Sequence, residues 1–262
     1  LTANTTGSWN TAVGLGSLTA NTTGNSNTAS GIAALYANTT GNYNTASGYH
    51  ALYANTTGTR NIAIGFSAYD AADTEDNNLA IGYDALGGAI AGGEFNVAIG
   101  NYALDANTSG DDNTGIGYNA MTALTTGDGN VSLGRASGTT ITTGSNNTVI
   151  GKGSDVSASG AENQVVIGQG ATGQADNSVV LGNASVTAVY MSQDKGATAY
   201  GATFEASTGI IPDAADGAYL GTASAEFSDL FLADGSVINL GNDQDVTVTH
   251  DADDGLELKS AA

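Results

Sequence analysis

The chain has no cysteine, one proline, five lysine and arginine residues together, and no formal charge at all before Arg60. Without thiols there can be neither a disulfide framework nor a thiolate metal site, so the redox compartment stays open. With 26 acidic residues against those 5 bases, the formal charge of −21 repels nucleic acid and anionic lipid, and both are set aside as partners. No apolar run is long enough for a membrane helix, and no signal peptide is recognisable. The chain opens at Leu1 inside a repeat, which leads us to expect a piece of a longer protein. Charged residues make up only 12 % of the chain, so the dense charge typical of disorder is also missing.

What is present is glycine, 38 of them, and much of it is periodic. Gly14, Gly31, Gly48, Gly65, Gly82, Gly100, Gly117, Gly134, Gly151, Gly168 and Gly182 are spaced by 17 residues, with one step of 18 and a last step of 14. Eleven copies of so short a unit predict a solenoid in which each repeat is one coil and none folds alone. Three residues before the glycine stands Thr11, Ile62 or Val97; directly before it stands Val13, Ile64 or Ile99. Between them is a small residue in the first eight copies (Ala12, Ala29, through Gly115 and Ser132) and valine in the last three. Period-two alternation puts the large and small sets on opposite faces of a strand, and the lack of charge on either face predicts that both are covered. Leu18, Leu35, Leu52, Tyr69, Leu86, Leu104 and Met121 form a second apolar ladder opposite the first. The connector Ala-Asn-Thr-Thr-Gly, complete at residues 20–24, 37–41 and 54–58, is a turn by its chemistry. Two short strands and two turns per coil are therefore expected, stacked into a rod roughly 50 Å long at about 4.8 Å per rung. Asn10, Asn27, Asn44, Asn61, Asn78, Asn96, Asn113, Asn130 and Asn147 fall in one column, where each side-chain amide is expected to donate to the next.

Asn77-Asn78-Leu79-Ala80-Ile81-Gly82, Phe95-Asn96-Val97-Ala98-Ile99-Gly100 and Asn177-Ser178-Val179-Val180-Leu181-Gly182, each followed by a small residue three places on, resemble the head repeat of YadA-like trimeric autotransporter adhesins. The resemblance covers residues 9 to about 187 and implies an all-β fold: a left-handed parallel β-roll of about eleven coils, assembled as a homotrimer. The usual 14-residue repeat of that family is met only in the last step; turn insertions lengthen the others. Asn177 to Thr187 resembles the family's neck motif, where chains cross over. Residues 1–187 thus read as head repeats ending in a neck, and 188–262 as a small β-rich module. That tail, with strands expected at Asp229–Leu232, Ser236–Leu240, Asp245–Thr249 and Leu256–Leu258, resembles segments of bacteriophage tail-fibre proteins, which also carry such repeats. The family's coiled-coil stalk has no counterpart, since no heptad pattern follows Ala188.

A coil this thin holds one layer of side chains and cannot also hide its other apolar face, which independently argues for three copies leaning on one another. The expected function is a rigid virion tail fibre that contributes to host attachment, with other tail proteins and a host-surface glycan or receptor as partners. The alternative is the head of a bacterial surface adhesin; an ice-binding solenoid, prompted by Thr22-Thr23, Thr39-Thr40 and Thr56-Thr57, and a glycan depolymerase are weaker rivals. Tyr49, Phe66, Tyr83 and Tyr118 follow the repeat glycine, with Asn101 breaking the column, and are the candidate receptor-binding residues; packing at a roll edge or between subunits is the competing reading. Asp243, Asp245, Asp251, Asp253 and Asp254 near His250 match no EF-hand spacing and read as solvated charge, so no metal or other cofactor is expected. His50 reads as an exposed spacer. The Asn-Thr-Thr sequons at Asn4, Asn21, Asn38 and Asn55 are explained by the turn pattern. Uniform coils without a long loop provide no groove for a nucleophile and base, so no catalysis is expected.

Overall fold

The computed structural model describes residues 1–88, 93–187 and 189, together with three C-terminal strands. Two compact units result, Leu1–Ala197 and Thr198–Ala262. In the first, eleven three-residue strands from β1 (Thr11–Val13) to β11 (Val179–Leu181) pair in sequence order as one parallel sheet. Their register follows the repeat: Ala29 lies between Ala12 and Ala46, Ala98 between Ala80 and Gly115, Val166 between Val149 and Val180. The second unit contains β12 (Val237–Leu240), β13 (Val246–Asp251) and β14 (Gly255–Ser260), an antiparallel meander in that order. The strand expected at Asp229–Leu232 and the acidic residues Asp243, Asp245, Asp253 and Asp254 lie outside the described residues.

The first unit is a parallel β-solenoid of about ten turns, and no helix occurs among the described residues. Its interior is narrow. The small strand residues Ala29, Ala46, Ala63, Ala80 and Ala98 are completely buried, and facing them are the equally buried Leu18, Leu35, Leu52, Tyr69, Leu86, Leu104 and Met121. A small residue on one wall and a leucine on the other fill a coil one side chain thick.

Three features differ from the sequence expectation. Each coil contains one strand, not two; the segment carrying the leucine ladder is a succession of turns. It is ordered because its backbone also bonds from coil to coil, with Leu18 N–H donating to Ala34 O (3.1 Å) and Thr22 N–H to Thr39 O (2.9 Å). Second, the leucines occupy the left-handed backbone region, with φ of 47° at Leu18, 50° at Leu35 and 51° at Leu52. That conformation costs a bulky residue on the order of 1–2 kcal/mol, and complete burial of a leucine, about 1.5–3 kcal/mol, offsets it. Third, the large strand residues are not covered within the chain. Ile62, Ile64, Val131, Leu133, Val179 and Leu181 are exposed, while Ile81, Ile99, Ile116 and Ile150 are half-buried, so the apolar face of the sheet points outward.

The asparagine column also works differently from a side-chain ladder. Each backbone N–H donates to Oδ1 of the asparagine one coil before, as Asn44 N to Asn27 Oδ1 and Asn61 N to Asn44 Oδ1 (both 2.9 Å). The amide NH2 turns instead to a glycine carbonyl in the same layer, Asn44 Nδ2 to Gly58 O at 2.7 Å. In this column Asn130 and Asn147 add an amide-to-amide bond (3.0 Å each). A true amide ladder occurs where the sequons lie: Asn21 Nδ2 donates to Asn4 Oδ1 (2.9 Å), Asn38 to Asn21 and Asn55 to Asn38 (2.8 Å each). Asn21, Asn38 and Asn55 are fully buried, so these sequon nitrogens are structural donors enclosed in the fold.

That ladder stops at Asn55, whose Oδ1 has no partner because the next position is Ala72. Where Asn is present, its Oδ1 lies where a Cβ on the following glycine (Gly24, Gly41 or Gly58) would go. Ala72 brings no such oxygen, and the corresponding position is Glu75, whose buried carboxylate accepts N–H bonds from Asp73 (2.9 Å) and Thr74 (3.1 Å). Asn with Gly and Ala with Glu are thus two interchangeable pairs. Ala72→Asn alone and Glu75→Gly alone should each destabilise, whereas the double variant recovers most of the loss and supplies Asn55 with a donor. Denaturant titration of the four proteins should give a favourable coupling of about 2 kcal/mol.

Candidate functional site

The four aromatic residues singled out above follow directly from strand register: each is the residue after the repeat glycine, so they stand one above another at an edge of the sheet. They are 41–47 % exposed. Tyr49 and Phe66 stack with centroids 4.9 Å apart and an interplanar angle of 12°; Phe66 and Tyr83 do so at 5.2 Å and 7°. The break at Asn101 is bridged by its neighbour Tyr102, which meets Tyr83 at 5.3 Å and 63° and Tyr118 at 6.1 Å and 90°. Below Tyr49 the row turns through His50 (4.0 Å) and Tyr53 (4.5 Å) to Tyr36, stacked on Tyr53 at 5.2 Å. Eight rings therefore form one continuous spine over six coils, of which the sequence pattern marks four. His50 is not an exposed spacer but a half-buried ring between two tyrosines.

Stacking along the rod covers the faces of Tyr49, Phe66 and Tyr83 with one another and leaves their edges to solvent. A sugar ring packs on an aromatic face, so these three rings present little surface for it. Tyr102 stands nearly perpendicular to its neighbours and is the ring in the row whose plane runs along the rod.

Beside the spine lies the outward sheet face. Ile62, Ile64, Leu79, Ile81, Val97, Ile99, Ile116, Val131 and Leu133 continue without an intervening charge. These five rungs make a strip of roughly 20 Å by 10 Å, and with Ile150, Val165, Ile167, Val179 and Leu181 of β9–β11 it reaches about 35 Å by 10 Å, on the order of 350 Å², within the range of the largest patch a soluble monomer exposes. Trp9 (84 % exposed), Tyr43 and Phe95 extend it along the column just before the asparagines.

The interior polar groups are structural. Burial raises the Tyr69 hydroxyl far above its ordinary value, so it stays neutral, accepting from Asn78 Nδ2 at 2.6 Å. Thr22, Thr39 and Thr125 each donate their hydroxyl to a carbonyl of the next coil (2.9–3.0 Å). A cavity of about 300 Å³ near the end of the coils is lined by Gly170, Thr172, Gln174, Val180, Gly182, Asn183 and Ala184, a set with no carboxylate or imidazole. Among the described residues no group of three His, Cys, Asp or Glu side chains is arranged to hold a metal, and no helix is long and apolar enough to cross a membrane.

These features define a parallel β-solenoid repeat protein with an outward apolar sheet face and an aromatic spine beside it. No protein-family model matches the chain, and neither a curated protein nor a solved structure does.

Proposed function

We propose that the chain is a segment of a trimeric fibre, a stiff rod that projects a binding end from a virion tail and contributes to attachment at a host surface. The observation that carries this reading is the outward row of Ile, Val and Leu along the sheet, which three parallel copies can bury against one another. Coil-to-coil hydrogen bonding in both the strand and the turns supports a mechanical role, because each coil is tied to its neighbours around much of its circumference. The resemblance to YadA-like head repeats, left-handed in that family, supports three-fold assembly, and the tail-like C-terminal segment favours a virion over a bacterial surface. The role is non-catalytic. The aromatic spine, through ring edges and the turned ring of Tyr102, is the part proposed to meet a host glycan or receptor.

Immunogold electron microscopy with antibodies to residues 1–187 tests the assignment. Gold along a tail appendage of purified particles is the expected result; labelling of a bacterial envelope would select the adhesin reading, and labelling of neither would remove both.

A further inference from the structure

Asp70 and Asp105 occupy the same position in their coils, five residues after Gly65 and Gly100, and the intervening coil has Gly87 there. Asp84 fills the gap, since its Oδ1 lies 2.6 Å from where a Gly87 Cβ would be. Three carboxylates thus form a file along successive coils, its ends about 10 Å apart at two rungs. They are faced by His50 and Tyr53 from the coil below, by Ser67 within the first coil, and by Tyr83, Tyr102 and Tyr118 along the spine. Arg60 is paired with Asp76 at 3.6 Å, so His50, beside Asp70, is the basic side chain that faces the file.

We propose that Asp70 and Asp105, set on either side of Asp84, make the middle of the rod acid-responsive: proton uptake by these two tightens the coils, and its loss at higher pH loosens them. The geometry points this way, because ionising adjacent half-buried carboxylates raises the energy of the folded state alone, and the one imidazole at the Asp70 end offsets only part of it. In agreement, burial first and the neighbouring Asp84 charge raise the Asp70 carboxyl above its ordinary 3.8, against the opposing Ser67 hydrogen bond and His50. Burial, then Asp84 and Asp70, do the same for Asp105. For an acid raised in the folded state, the stabilisation is complete below the unfolded value and is lost as the pH rises through the folded one. The active window therefore opens just above the ordinary carboxylate range.

Amide hydrogen exchange on the intact chain, corrected for intrinsic chemistry, tests this coil by coil. Between about pH 7.5 and about pH 4.5, protection of residues 66–86 and 100–106 should rise on the order of tenfold on the acid side. Asp84→Asn should flatten that rise. Asn also suits the positive φ of 52° at this position, so protection at neutral pH increases as well, and the slope is the diagnostic quantity. Asp105→Asn provides a second variant with the same expected flattening, and Asp128→Asn, three coils beyond Asp84, should leave the slope unchanged. A flat profile in the wild type, or an undiminished slope in both file variants, would overturn the proposal.

Discussion

Replacing Gly48 by alanine should destabilise the solenoid by more than about 3 kcal/mol and in practice prevent these coils from stacking. Two costs act together. Gly48 has φ of 145°, a conformation that L residues rarely adopt, and its added Cβ would lie inside the contact shell of the Gly65 carbonyl oxygen and carbon. Neither atom can move, because both belong to the next coil's backbone, which is fixed in turn by the coil beyond. Gly153 separates the two costs. Its φ of 63° is also positive, but a Cβ there meets nothing within 4 Å. Gly153→Ala should therefore lose only about 1 kcal/mol. Thermal unfolding followed by circular dichroism checks the pair; similar melting temperatures for both variants would mean that backbone approach between coils is looser than described.

Asn44→Ala has the second largest expected effect, although it removes no apolar surface. It leaves the N–H of Asn61 without a partner and the carbonyl of Gly58 with only its longer bond from Asn55 Nδ2 (3.2 Å). At about 1–3 kcal/mol for the buried unpaired N–H and about 1 kcal/mol for the lost bond to Gly58, the loss should be roughly 2–4 kcal/mol. Asn44→Asp should be at least as damaging at neutral pH: it keeps the acceptor for Asn61 but sets a carboxylate oxygen against the Gly58 carbonyl. A loss below about 1 kcal/mol for the alanine variant in denaturant titration would show that water enters the layer and satisfies the Asn61 N–H.

Strand positions, register and the identity of the interior leucines are all legible in the sequence, because glycine spacing and the small-then-large alternation have no other economical explanation. The second strand is misread for a physical reason. A small residue followed by leucine looks extended, and no propensity predicts that Leu18, Leu35 and Leu52 accept a left-handed backbone; that cost is repaid only by burial and by bonds from the adjacent coil. The direction of the sheet faces is equally hidden, since lack of charge looks the same on an interior wall and on an outward apolar surface. In the candidate site, the column Tyr49, Phe66, Tyr83 and Tyr118 can be read directly. Tyr102 escapes that reading because it is the second residue after Gly100, the position held by His50, Ser67 and Asp84 in earlier coils, while Asn101 takes the column; a search for aromatics adjacent to the column would find it.

All of these features converge on the uncovered sheet face, and the mass of the folded chain in solution tests its role most directly. Sedimentation equilibrium at micromolar concentration should return three times the 25.8 kDa of one chain. Ile64→Glu, which places a charge on that face without entering the coil interior, should give the single-chain mass with an unchanged circular dichroism spectrum. A wild-type protein that is fully folded and sediments as one chain would contradict the account.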